Sequence, residues 1–92
     1  MRKILLSAAL GIASLIIVGA AQAAPACTAE PKTKWLTQTQ MRLRVEKLGY
    51  TKIKVLQVSG SCYEIYAQNK AGKKAEVYFN PVTGAVVQNN ED

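Results

Sequence analysis

Residues 75–87 read Ala-Glu-Val-Tyr-Phe-Asn-Pro-Val-Thr-Gly-Ala-Val-Val, and this stretch decides the fold. Ala75, Val77 and Phe79 alternate with Glu76 and Tyr78, the period-two pattern of a strand with one buried face. Asn80-Pro81-Val82-Thr83-Gly84 then reverses the chain. Asn80 offers a side-chain acceptor to the backbone, Pro81 presets φ, and Gly84 tolerates positive φ. Ala85-Val86-Val87 is a second apolar run, so the whole predicts a β-hairpin.

Working backwards, Cys62 to Gln68 is a further strand in which Tyr63, Ile65 and Ala67 alternate with Cys62, Glu64 and Tyr66. If Lys70-Ala71-Gly72 is a three-residue loop with a left-handed Gly72, residues whose numbers sum to 142 are opposite each other. Tyr63 then meets Phe79, Ile65 meets Val77, and Ala67 meets Ala75, all on one face. Glu64 meets Tyr78 and Tyr66 meets Glu76 on the other. A slip of one residue would mix the two sets, which fixes the register. Before the Ser59-Gly60-Ser61 turn, Tyr50 to Val58 is strand-like, but its apolar positions change parity between Val55 and Leu56. That predicts a β-bulge or bend at this point.

Upstream lies a helix. Thr37 is a good N-cap and Gln40 completes a capping box, with Leu36 and Met41 placed for a hydrophobic staple. Met41, Val45 and Leu48 form one stripe, Gly49 ends the helix, and Leu43 points away as an exposed leucine. The fold class is therefore α+β: one helix packed in two layers on a four-stranded antiparallel meander. Residues 88–92 are expected to fray.

The first 23 residues belong to export rather than to the fold. Met1-Arg2-Lys3 is basic, Ile4 to Ala21 is apolar or small, and Ala21-Gln22-Ala23 predicts cleavage between Ala23 and Ala24. An uncleaved anchor is the alternative, since such a run could just span a bilayer. Lipidation at Cys27 fits poorly with the preceding Ala24-Pro25-Ala26. Domain organisation is thus signal peptide 1–23, an extended arm 24–34 and a domain 35–92. Removing 23 of 92 residues leaves 69, enough for one thin core. Without Arg2 and Lys3 the formal charge of +6 falls to +4, with the cations dispersed, which argues against nucleic acid as a partner. Cys27 and Cys62, two thiols in an oxidising compartment, read as a disulfide. Cys62 has the parity of the face away from the helix, so the bridge should draw the arm around an end or over that face, with Trp35 helping to cover it.

The succession Trp35-Leu36-Thr37 at a helix start, Leu48-Gly49-Tyr50, Gly60-Ser61-Cys62-Tyr63-Glu64-Ile65-Tyr66, Lys70-Ala71-Gly72-Lys73-Lys74, and Val77 to Val87 resembles the PepSY domain family. The small stand-alone periplasmic members are the nearest in kind, over about Trp35 to Gln88. Asn80-Pro81 followed by Thr83-Gly84 is the most specific part. The resemblance implies a module that binds or inhibits peptidases. With no peptidase in these 92 residues, inhibition would act in trans.

The residues themselves carry no catalytic constellation. Without histidine, Ser59 and Ser61 have no relay, and zinc or C-x-x-C redox chemistry lacks its ligands. No metal, cofactor or catalytic residue is expected. Of six acids, Glu64 and Glu76 share a strand face, where two solvated glutamates explain them better than an acid/base pair. The expected function is a periplasmic, non-enzymatic protein-interaction module. Its candidate contact face is Glu64, Tyr66, Glu76 and Tyr78, with an edge strand as a second possibility. The alternative is charge-held association with anionic lipid or glycan through Arg42, Arg44, Lys47, Lys52 and Lys54.

Overall fold

Thr37 caps helix α1 (Gln38–Lys47) in both directions. Its Oγ1 accepts the Gln40 N–H at 3.1 Å, and the Gln40 side chain accepts the Thr37 N–H at 2.8 Å. Gly49, at φ 98°, lets the chain leave the helix. Four strands follow, β1 (Thr51–Ser59), β2 (Cys62–Gln68), β3 (Lys74–Phe79) and β4 (Val86–Glu91), in the antiparallel order β1-β2-β3-β4. These coordinates are a computed structural model that describes residues 23–91; residues 1–22, which hold most of the expected signal segment, lie outside that range. Among the described residues no helix is long and apolar enough to cross a membrane.

The central hairpin has the register that its loop dictates. Tyr63 pairs with Phe79, Ile65 with Val77 and Ala67 with Ala75, while Gly72 sits at φ 79°. Met41 and Val45 of α1 close over this face, and both are fully buried with Ile65, Val77 and Phe79. Each such side chain contributes roughly 1.5–3 kcal/mol by leaving water, so a few residues carry most of this thin core. Leu48, Tyr50, Ile53 and Leu56 pack around its margin. Leu43 stays exposed on the outer side of α1.

Four expectations about the arm, Trp35 and the strands need correcting. The arm is not extended throughout, because Lys32–Lys34 form a single 3-10 turn. Trp35 does not cover the helix-free face. It packs against the core side, edge-on to Tyr63 at 5.5 Å, and its indole N–H donates to the Glu30 carbonyl. The parity change in β1 falls earlier than Val55/Leu56. The ladder shifts between Thr51 and Val55, with Lys52 at φ 51°, so that Ile53 and Leu56 both reach the core. From Val55 onward the pairing is regular, with Val55 opposite Tyr66 and Leu56 opposite Ile65.

The last correction concerns β4. The strand does not fray after Val87 but pairs as far as Ala75↔Glu91, while the apolar run supplies the turn exit and a bulge. Phe79 pairs with Val86 and Tyr78 with Gln88, leaving Val87 without a partner opposite. Polar side chains hold this strand where apolar ones were expected to. Asn69 Nδ2 donates to Glu91 at 2.7 Å and Asn90 Nδ2 to Glu76 at 3.3 Å. The backbone groups of β3 also need ladder partners whatever the facing side chains are.

Candidate functional site

The helix-free face of the sheet divides into a closed half and an open half. At the closed end Cys27 and Cys62 are joined by a disulfide, with 5.2 Å between Cα atoms. The arm lies across the turns at this end. Cys27 N–H donates to Ser61 Oγ at 2.9 Å, and Asn80 Nδ2 donates to the Cys27 carbonyl at 3.0 Å.

The Asn80–Gly84 turn is the clasp of the whole molecule. Asn80 Oδ1 accepts the N–H groups of Val82 at 2.8 Å and Thr83 at 3.2 Å, and Thr83 Oγ1 accepts that of Ala85. The carbonyl of buried Pro81 accepts the Leu36 N–H at 2.8 Å, which ties the turn to the start of α1. Arg44 Nε donates to the Gly84 carbonyl at 3.2 Å. The most specific motif in the sequence thus joins arm, helix and sheet. Gly84 sits at φ 76° with the Arg44 side chain 3.1 Å from where a Cβ would stand. Gly84→Ala should therefore lose about 1–2 kcal/mol through left-handed strain, read as a lower midpoint in thermal melting.

Glu64, Tyr66, Glu76 and Tyr78 do lie together on the helix-free face, though not as an exposed set. Tyr66 is 45% exposed, whereas Tyr78 and Glu64 are only 2% and 4% exposed. The picture of two solvated glutamates on an open face is corrected accordingly. Gln57 Nε2 donates to Glu64 Oε1 at 3.0 Å. Glu76 is the acceptor at the centre, taking the Tyr78 hydroxyl at 3.0 Å, the Tyr66 hydroxyl at 3.3 Å and the Asn90 amide. The neighbouring Glu64 side chain, with these hydroxyl and amide donors and against the opposing effect of burial, holds Glu76 below the usual carboxylate range. Burial, then the hydrogen bond to Glu76, pushes the Tyr78 hydroxyl well above its ordinary value.

These shifts have signs that can be checked. A depressed Glu76 stabilises the fold above the unfolded carboxyl value near 4.3 and loses that contribution as pH falls. A raised Tyr78 stabilises below the unfolded tyrosine value near 10 and loses that contribution as pH rises beyond it. Stability from urea titrations should therefore be level across neutral pH and fall on both sides. Glu76→Gln should flatten the acid side, and Tyr78→Phe should lessen the alkaline one.

The open half is a shallow hollow of about 740 Å³ crossing all four strands at the Gly72 end. Lys52 and Lys54 come from β1, Tyr66 and Gln68 from β2, Lys74 and Glu76 from β3, and Asn89 to Glu91 from β4. Sequence reasoning missed Gln68, Lys74 and Asn90. The hairpin register already placed the first two in this row, but nothing apolar announced the strand that carries Asn90. The cations grouped earlier for an anionic surface are divided here. Arg44 is held at the clasp, whereas Lys52 and Lys54 line the hollow.

A four-stranded meander with one helix on its inner face, clasped at a Pro–Gly turn and open at the other end of its outer face, defines a small α+β module. The chain belongs to the peptidase propeptide and YPEB domain family (PepSY), whose family model matches residues 7–90. No curated protein and no solved structure matches it.

Proposed function

We propose that this chain is an exported, non-catalytic PepSY domain that binds a protein partner, with a peptidase as the first candidate, through the open half of its helix-free sheet face. The observation that carries this reading is Tyr66: it stands 45% exposed in the hollow while Tyr78 beside it is buried. A tyrosine anchored by its hydroxyl, here on Glu76, presents rigid apolar area with a polar tip, the combination favoured at contact sites. Export is supported by the basic start, the apolar run and Ala21-Gln22-Ala23, with processing after Ala23 and an arm 24–34 preceding the domain 35–92. The lack of histidine and the engagement of both carboxyls by neutral donors support a non-catalytic role.

The test is capture of extracytoplasmic proteins on immobilised domain, followed by assay of peptidase activity with and without added domain. Tyr66→Ala should weaken the captured interaction by about 2 kcal/mol, roughly thirtyfold in Kd, as loss of a central aromatic contact does. Leu43→Ala, on the far side of α1, should leave it unchanged. Equal recovery of the same partners by Tyr66→Ala and wild type rejects this face. Tyr78→Ala is unsuited to the test because Tyr78 is buried.

A further inference from the structure

We propose that the hollow takes an extended, acidic peptide segment, which rests on the interaction reading above and names the chemistry of the partner. Three lysines line it, Lys52, Lys54 and Lys74, all with exposed side chains, and Lys70 and Lys73 stand on the adjoining hairpin. The two acids in the lining are already engaged by neutral groups. Glu76 accepts from two tyrosine hydroxyls and the Asn90 amide, while Glu91 accepts from the Asn69 and Asn89 amides. Neither takes a hydrogen bond from a lysine among the described residues, so the ammonium groups remain available to a ligand carrying carboxylates.

Shape selects among anions. Four strands at their usual spacing give the floor a width of about 14 Å, the reach of about four extended residues. The Tyr66 ring sits on that floor with Gln68, whose side-chain amide can both donate to and accept from a peptide backbone. A planar bilayer surface would meet only the rim of such a concavity. The fit is to a segment that lies across the strands, rests a side chain on Tyr66 and places carboxylates at the lysines.

The test uses the purified oxidised protein and a fluorescein-labelled peptide of alternating glutamate and phenylalanine, followed by anisotropy in a salt series. Its counterpart with lysine replacing glutamate, and vesicles of phosphatidylglycerol, are the comparison probes. The acidic peptide should bind and weaken with salt, and the lysine peptide should not. The Lys52→Ala/Lys54→Ala/Lys74→Ala variant should bind roughly tenfold more weakly, the summed loss of three exposed charge contacts. The Lys34→Ala/Arg42→Ala/Lys47→Ala variant removes the same charge elsewhere and should bind as wild type does. Equal weakening of both variants would mean diffuse net charge and would overturn the proposal, as would vesicle binding without peptide binding, or no peptide binding at all. Failure here is separable from failure of the interaction reading. If Tyr66→Ala loses the captured partners while the Lys52/Lys54/Lys74 variant keeps them, the acidic segment is rejected and the contact face stands.

Discussion

Phe79→Ala is expected to destabilise the domain by about 3–5 kcal/mol, the range for deleting a buried aromatic ring when the surroundings cannot collapse. Phe79 is fully buried, lies opposite Tyr63 in the ladder, and meets Tyr50 edge-on at 6.4 Å. It is also the last residue of β3, so its backbone is fixed by the Asn80 turn that follows, and the chain cannot move inward to fill the void. A domain of this size holds only about 3–10 kcal/mol in total. The variant should therefore be substantially unfolded near 37 °C, with a urea midpoint shifted far towards zero at unchanged slope. Leu43→Ala, at 53% exposure, should stay within about 0.5 kcal/mol of wild type. A Phe79→Ala midpoint within 1 kcal/mol of wild type would mean that the helix-facing side of the sheet is not the core described here.

How much of this was legible in the sequence follows from which physical signals are local. The β2–β3 register was readable because a three-residue loop and two alternating strands leave one solution that separates apolar from polar residues. The cap at Thr37 was readable for the same reason, since both partners of the box lie three residues apart. Position along β1 was harder to read. Ile53, Val55 and Leu56 announce a parity change, but the shift falls between Thr51 and Val55, where Lys52 carries no glycine-like signal for its positive φ. The polar strand β4 had no alternation to read, and its place depends on Asn69, Glu76 and Asn90 meeting across the fold. Burial on the helix-free face was misjudged for a similar reason. Glu64 and Tyr78 have the composition of a solvated face, and only the tertiary arrangement shows them enclosed while Tyr66, on the next row, stays open.

That division of one face bears on the remaining large effect, loss of the Cys27–Cys62 disulfide. Two outcomes can be set apart in advance. If the bridge only tacked the arm to the end of the sheet, its removal would release residues near Cys27 and leave the rest intact, and melting would scarcely change. The loop it closes, however, spans a separation of 35 residues and contains all of α1 and β1. Cross-linking those ends restricts the unfolded chain by about 3–4 kcal/mol in the chain-entropy account. Since α1 supplies Met41 and Val45 to the core, unfolding the domain requires opening the segment that the bridge constrains. The Cys27→Ser/Cys62→Ser variant should therefore melt as one transition lowered by roughly 12–32 °C, from about 4–8 °C per kcal/mol for a domain this small. Reduction of the native protein should give the same shift, which separates loss of the bond from any effect of the serine side chains in the site that Cys62 leaves. A melting temperature unchanged within about 3 °C, with amide exchange accelerated only in the arm, would show that the bridge acts locally and that the two ends of this sheet face are stabilised independently.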